Sequence, residues 1–375
     1  MSEGVDAQRH GLFLTPLMAG PRLRIDAVAI DAWSGRPRRR AGQRNDEGLP
    51  RTGGGARTDG VAAMTNPQRV AVCVITYKRP VGLRRLLEGL HALTFRGTAP
   101  AVRCIVVDND PEGSARAVVE AVQTGFRWGL EFVLEPARGI PFARNAALRQ
   151  ALPDAEWIAF IDDDEEPRPD WLDELLRVAH EHAADVVAGR VDPRFESPAP
   201  DWVVRGGFFT RRSHSTGGRL DRAATNNVVF RADILKSLDP WFDERRALTG
   251  GTDTHFFRRA HRAGSRIVWA NEAVVTEVVP DSRVNAGWIR RRGFRCGAGA
   301  TRTELDLFGR GGGAALALAA GAFFLLRGSL FALPAAWVRG RAGWVKHVYF
   351  VYYGAGRLCG LVGGAYEEYR TVHGR

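Results

Sequence analysis

From Arg69 onward, short apolar runs alternate with stretches whose apolar residues recur every three or four positions, and this alternation predicts βαβ units on a mostly parallel sheet. RVAVCVITY reads as the first strand. PVGLRRLLEGLHAL, opened by Pro80 and carrying Leu83, Leu86, Leu87 and Leu90 at helical spacing, reads as the first crossover helix. AVRCIVVDND, LEFVLEP and WIAFIDDD follow as strands, with GSARAVVEAVQ and IPFARNAALRQAL as the helices between them. PDWLDELLRVAHEH reads as a helix begun at Pro169, and ADVVAGRVDP as a strand. Residues 196–249 are irregular, apart from a strand and short helix expected in TNNVVFRADIL. GGTDTHFFRRAHRAG reads as a helix introduced by a Gly turn, and SRIVWANEAVVTEVVP as strand, turn, strand. No internal repeat is visible.

Two stretches break this pattern. Residues 1–66 are rich in Gly and Arg and carry almost nothing for a core, so they are expected to be a disordered leader. No signal peptide is expected, because Arg22, Arg24 and Asp26 interrupt its apolar residues. Met64, just ahead of the first strand, reads as an alternative start. Beyond about residue 310 the chain turns apolar, but the uninterrupted run from Ala314 stops at Leu326, before Arg327. A spanning helix needs about 20 apolar residues, and an arginine at mid-bilayer costs about 2.5–3.5 kcal/mol. Helices lying in or re-entering a membrane interface are the expectation, with Trp337, Trp344, Tyr349, Tyr352, Tyr353, Arg339, Arg341 and Lys346 at head-group level. A single span and a soluble helical pair stay open. The expected division is a leader over 1–66, an α/β domain over 67–305 and a membrane-associating region over 306–375.

The formal net charge is +11, of which the leader supplies +3 from ten arginines and seven acids. Such a balance suggests an anionic partner without choosing one. The four cysteines, Cys73, Cys104, Cys296 and Cys359, form no CxxC pair, which argues against a zinc site and fits free thiols.

Against that basic background, WIAFIDDDEEPRP ends an apolar strand in Asp162, Asp163, Asp164, Glu165 and Glu166. Side-by-side carboxylates repel unless a cation or solvent relieves them. Glu165 and Glu166 read as a solvated turn. Asp162–Asp164 fall where open α/β sheets bind ligands, and their oxygens suit Mg²⁺ or Mn²⁺ with a nucleotide diphosphate completing the shell.

Several motifs in order, VCVITYKRP, VVDND, RGIPFARNAAL, FIDDDEEPRPDWL, TGGTDTHFFRRAHRAGSRIVWANEAVVTEVVP and WIRRRGFRCG, resemble the family 2 glycosyltransferases, in particular those of bacterial exopolysaccharide assembly. The resemblance spans about 69–300. It implies a GT-A fold and an inverting transfer from a nucleotide-sugar, usually a UDP-sugar. It also implies that a DXD-type motif holds a divalent metal, with Asp164 as direct ligand and Asp162 as a metal or nucleotide contact. By the same resemblance Thr76, Tyr77 and Asp108 match the nucleoside pocket, and Arg79, Asn109, Arg144, Asn145 and Asp163 match further donor contacts. Asp253 matches the base that takes the acceptor's proton; without the resemblance it reads as the N-terminal cap of its helix. Thr252, which stands where the family usually has Glu, is with Arg291 and Arg292 a candidate acceptor or diphosphate contact. Arg290, Arg291 and Arg292 either close over the diphosphate, face anionic lipid or form a solvated basic face, while His214 and His255 lack metal-ligand spacing.

The expected function is addition of one sugar to a membrane-bound, plausibly lipid-linked, acceptor at the cytoplasmic face of the cell membrane. A processive synthase fits less well without a Gln-x-x-Arg-Trp motif. A nucleotidyltransferase would carry a Gly-rich phosphate loop where this chain has TYKRP. The alternative from another class is a non-catalytic membrane or nucleic-acid binding protein on a degenerate transferase scaffold, although nucleic acid is not the expected partner.

Overall fold

The computed structural model describes residues 67–247 and 250–364. The expected leader, including the Met64 start, and residues 365–375 lie outside them. Nine strands form one mixed sheet. These are β1 (Arg69–Thr76), β2 (Ala101–Asp108), β3 (Gly129–Leu134), β4 (Trp157–Asp162), β5 (Glu165–Pro167), β6 (Val186–Phe195), β7 (Arg219–Leu220), β8 (Asn227–Arg231) and β9 (Ile267–Val279). The order is β3-β2-β1-β4-β8-β6-β9-β5, with β7 paired to β9. The first four run parallel, and antiparallel β8 separates them from a second parallel pair, β6 with β9.

Both faces are covered, which is why the parallel strands read as nearly continuous apolar runs. On one face α1 (Pro80–His91) buries Leu83, Leu86, Leu87 and Leu90 against Val70, Val72 and Val74. α2 (Arg116–Gln123) and α4 (Trp171–Glu181) complete that layer. On the other, α3 (Ile140–Ala151) and α6 (Thr252–Arg262) pack over Ala71, Cys73 and Phe160. All four cysteines are free thiols, and burial pushes Cys73 and Cys104 up, so both stay protonated.

Three sequence expectations need correction. α4 starts at Trp171 rather than Pro169, whose carbonyl instead accepts from Thr94 N. SRIVWANEAVVTEVVP is a single strand, because Asn271–Ala273 bulge out of β9 while its pairing to β6 resumes at Arg190 and Val274. Asn227 pins the bulge, its Nδ2 donating to the carbonyls of Arg190 (2.8 Å) and Ala273 (2.9 Å). Glu165 and Glu166 are not a solvated turn: they belong to β5, antiparallel to β9, and Glu165 is 1% exposed. The irregular region also holds a one-turn-and-a-half helix, α5 (Asp201–Gly206).

The C-terminal helical run α7 spans Ala286–Leu361, starting ahead of the expected boundary at 306. Non-helical backbone at Gly309 and Gly340 folds it into three segments, 286–308, 310–339 and 341–361. These cross on glycines: a Cβ on Gly297 would meet the Tyr353 carbonyl at 2.1 Å, and one on Gly356 the Phe294 carbonyl at 2.1 Å. Such small-residue crossings let helix backbones approach closely, as in membrane bundles. Inside, Arg357 pairs with both oxygens of Glu304 (2.9 and 2.6 Å). Trp288, Phe324, Phe350 and Tyr353 continue into Val203, Phe208 and Phe209 and into Val279 at the end of β9, so bundle and sheet share a core. Outside, Leu326, Leu330, Leu333 and Trp337, at 62, 68, 74 and 90% exposure, form one helical stripe. An 18-residue stretch of α7 is long and apolar enough to cross a membrane, and a third of it is buried.

Candidate active site

The ends of β1, β2 and β4 and the starts of α1 and α6 meet at one edge of the sheet. Thr76, the last residue of β1, donates through Oγ1 to Asp163 Oδ2 at 2.8 Å. Arg79, just ahead of α1, donates to Asp163 Oδ1 (2.8 Å) and Asp164 Oδ2 (3.1 Å). Asp163 is thus buried and committed to its neighbours, while Asp162 and Asp164 to either side stay partly exposed. α1 approaches this turn closely, since a Cβ on Gly82 would lie 2.5 Å from the Asp163 carbonyl oxygen.

Asp162 ends β4. Burial, and behind it the charges of Asp164 and Asp163, push its carboxyl up to about 7 against the pull of Arg144 and Arg211. Burial likewise raises Asp164, opposed chiefly by Arg79, and raises Glu165 well above the carboxylate range, helped by the Asp162 charge. Glu165 accepts from Asn226 Nδ2 (2.6 Å) and from the Asp162 N–H (3.2 Å). Asp162 and Asp164 offer the hard oxygens Mg²⁺ and Mn²⁺ prefer, and the crowding that raises them is what a divalent cation relieves. Among the described residues no set of three or more acid, His or Cys side chains forms a metal cage, so a cation here would complete its shell from donor phosphates and water.

α6 brings the other side of the site. Gly250 and Gly251, at φ of 74° and 76°, take the left-handed turn that a residue with Cβ adopts at a cost, and Thr252 and Asp253 follow as the first helical residues. Asp253 therefore lies inside α6, whose capping position is Gly251. Thr252 is 2% exposed and its Oγ1 accepts from Arg144 Nη1 at 2.7 Å. Arg144, on α3 and 6% exposed, thus stands between α6 and the charge of Asp162, with its Nε buried and unpartnered among the described residues.

Other expected site residues spend their polar atoms on the scaffold. Asp108 accepts from the N–H groups of Ala115 (2.7 Å) and Asp110 (3.0 Å), closing the loop after β2; burial raises its pKa against these bonds. Asn109 ties down the loop before α3, donating to the carbonyls of Glu135 and Ala137 and accepting from Gly139 N. Asn145 is bonded both ways to the Phe242 backbone and donates to Glu244. Tyr77 lies half-buried under the Arg138 guanidinium, 5.0 Å from its ring centre. Arg291 is exposed on α7 and makes no ion pair with the acids among the described residues, whereas Arg292 lies 5.3 Å from the Trp288 ring and adds its charge to Glu277. His214 packs on Trp269, and burial lowers His255 to about 4, so it is neutral.

Arg211, Asn226, Glu277 and Arg283, near the acids, escaped the sequence reading, which treats Glu165 only as part of a solvated turn. Glu277, on β9, accepts from Arg211 at 2.7 Å. Burial works to raise its carboxyl, but Arg211, Arg292 and Arg283 outweigh it and hold Glu277 below the usual range. Arg283 lies 3.4 Å from Asp164 and 3.5 Å from Glu277. Glu277 carried a signal, a lone acid in the apolar strand VVTEVV.

The model of the family described as Glycosyl transferase family 2 matches residues 71–239, and that described as Glycosyl transferase family group 2 matches 157–356. The chain is 36% identical over 228 residues to the succinoglycan biosynthesis protein ExoM of Rhizobium meliloti (strain 1021), covering 61% of this chain and 72% of the relative. It is 22% identical over 206 residues to the glycosyltransferase AglE of Haloferax volcanii, covering 55% and 65%. Among solved structures, the mannosyltransferase PcManGT from Pyrobaculum calidifontis, in complex with GDP-Man and Mn²⁺, superposes with a TM-score of 0.54 at 18% identity, over 79% of this chain and 88% of that one.

Proposed function

Since the chain belongs to glycosyltransferase family 2 and has the GT-A fold, we propose that it moves a single sugar, with inversion, from a UDP-sugar to a saccharide or lipid-linked acceptor in cell-surface polysaccharide synthesis. The observation that carries this reading is Arg144: one guanidinium bonds Thr252, the neighbour of Asp253, and acts on the charge of Asp162, linking the candidate base to the carboxylates. Asp162 and Asp164 would hold a Mg²⁺ or Mn²⁺ ion, which when bound draws charge from the leaving diphosphate. Arg79 fixes Asp163 and Asp164 in place. Thr76 and Tyr77 border the nucleoside side. Asp253 takes the proton of the acceptor hydroxyl as its oxygen bonds the anomeric carbon and the carbon–phosphate-oxygen bond breaks, releasing nucleoside diphosphate. That ExoM is named for succinoglycan biosynthesis supports the polysaccharide setting.

The exposed stripe Leu326, Leu330, Leu333 and Trp337, with exposed Arg339 and Arg341 at its end, supports seating the bundle at the cytoplasmic face of the cell membrane, beside a lipid-linked acceptor.

The test is nucleotide release from a panel of nucleotide-sugars by detergent-solubilised protein, with Mn²⁺, with Mg²⁺ and with EDTA, beside Asp164→Asn and Asp253→Asn. Metal-dependent release from one donor, lost in both variants, is expected. Absence of release together with absence of metal-dependent UDP binding would overturn the reading in favour of a non-catalytic scaffold.

A further inference from the structure

Arg79, Arg144, Arg211 and Arg283 are among the arginines that act on the acid cluster, and their grips differ. Arg79 holds Asp163 at 2.8 Å and Asp164 at 3.1 Å, Arg211 holds Glu277 at 2.7 Å, and Arg144 is bonded to Thr252 at 2.7 Å. Charge-assisted N–H···O bonds run at about 2.7–2.9 Å. Arg283 is the loose one: its Nη1 is shared between Asp164 Oδ2 at 3.4 Å and Glu277 Oε1 at 3.5 Å. Its Nε is buried and has no acceptor among the described residues. A guanidinium carries five N–H donors, so most of the capacity of Arg283 is unspent on the acids it faces.

Its setting is that of a part that can shift. Arg283 ends the single turn Asp281–Arg283, which joins β9 to α7. Its guanidinium lies 5.9 Å from the Trp288 ring centre, and Trp288 in turn stacks on Phe209 (5.6 Å, 15° between planes). The ring is a flat platform over which a guanidinium keeps its attraction while it slides. Between the Asp163–Asp164 turn and the Val278–Pro280 segment leading to Arg283 lies a small cleft, lined also by Arg79, Arg85 and Glu196.

Resting on the donor site read above, we propose that Arg283 and a divalent cation compete for the Asp164 carboxylate, and that the acceptor Arg283 takes in exchange is the diphosphate of the nucleotide. A cation on Asp164 repels the guanidinium beside it, and a diphosphate held by that cation presents the oxygens a guanidinium fork fits. Arg283 is thereby a diphosphate-binding residue contributed by the turn that joins the sheet to the bundle.

Competition has a signature that a merely structural role does not. In the full-length, detergent-solubilised protein, Mn²⁺ binding without nucleotide is read from the electron paramagnetic resonance of the free ion. UDP and, in parallel, GDP binding with Mn²⁺ is read by calorimetry. Arg283→Gln is expected to bind Mn²⁺ more tightly, on the order of tenfold, and the preferred nucleoside diphosphate more weakly by a similar factor. Arg283→Lys, which keeps the charge, is expected to leave Mn²⁺ affinity near that of the wild type. Unchanged or weakened Mn²⁺ binding in Arg283→Gln, with wild-type binding intact, overturns the exchange alone. If the wild type binds neither Mn²⁺ nor either nucleotide, the donor-site reading falls as well.

Discussion

Asp162 shows how a single side chain reports the purpose of its neighbourhood. Its folded-state pKa, about 7, lies above its ordinary value of 3.8, so between those values the folded chain holds a proton that the unfolded chain releases. Stability therefore falls as pH rises through that window and levels off above it. In EDTA, Asp162→Asn is expected to stabilise the protein by about 1–3 kcal/mol at about pH 8 and to change little near pH 4, read by chemical denaturation. A gain independent of pH would contradict the assignment. Asp253→Asn should act on turnover alone, lowering kcat by about 10²–10⁴ with donor KM retained, in steady-state assays with the donor that the release panel identifies. The sequence brought Thr76, Arg79 and Asp162–Asp164 together because all sit at the ends of recognisable strands or the start of a helix. It did not distinguish a carboxylate that faces a ligand from one that closes its own turn, as Asp108 does through Ala115 and Asp110. Arg211 stayed hidden because it comes from a stretch with no periodicity to place it.

At the scale of elements, the parallel half of the sheet was legible because strands buried on both faces read as unbroken apolar runs and their helices as leucine repeats. The second half was less so. WANEA has the look of a turn, yet Asn227, on β8 with β6 between it and β9, fastens the bulge and accepts from Trp171 Nε1 at 2.8 Å. Asn227 is 2% exposed, so Asn227→Ala strips several buried groups of their partners and is expected to cost about 2–4 kcal/mol, seen as a lowered denaturation midpoint. Because the same bulge sets where β9 continues toward Glu277, this variant should also weaken nucleotide binding, which calorimetry would register. Gly189 belongs to the same lock: a Cβ there would meet Asn227 Oδ1 at 2.4 Å and the Ala273 carbonyl at 2.5 Å.

For the whole molecule, the sheet and the helical bundle share one core through Phe209, Trp288 and Phe324, so the apolar tail is packed onto the domain that carries the acids. Its apolar character is legible in the residues but its threefold path is not, because Gly309 and Gly340 look like any other glycine until their backbone angles are known. Leu330→Ser with Trp337→Ser is expected to reduce flotation with anionic vesicles several-fold while leaving UDP binding unchanged. Equal flotation would place the membrane contact elsewhere. The sheet order carries a last consequence, for how the protein comes off the ribosome. β5 is antiparallel to β9, and β6 is parallel to it, although about seventy residues of chain separate β6 from β9. Pairings so distant in sequence form late. A nascent chain halted before Ile267 has made every aspartate of the DDD run but not the strand against which β5 aligns, so it should emerge unable to retain nucleotide. Competence would then arrive only once β9 has cleared the ribosome, before the apolar bundle that follows it in sequence has fully emerged.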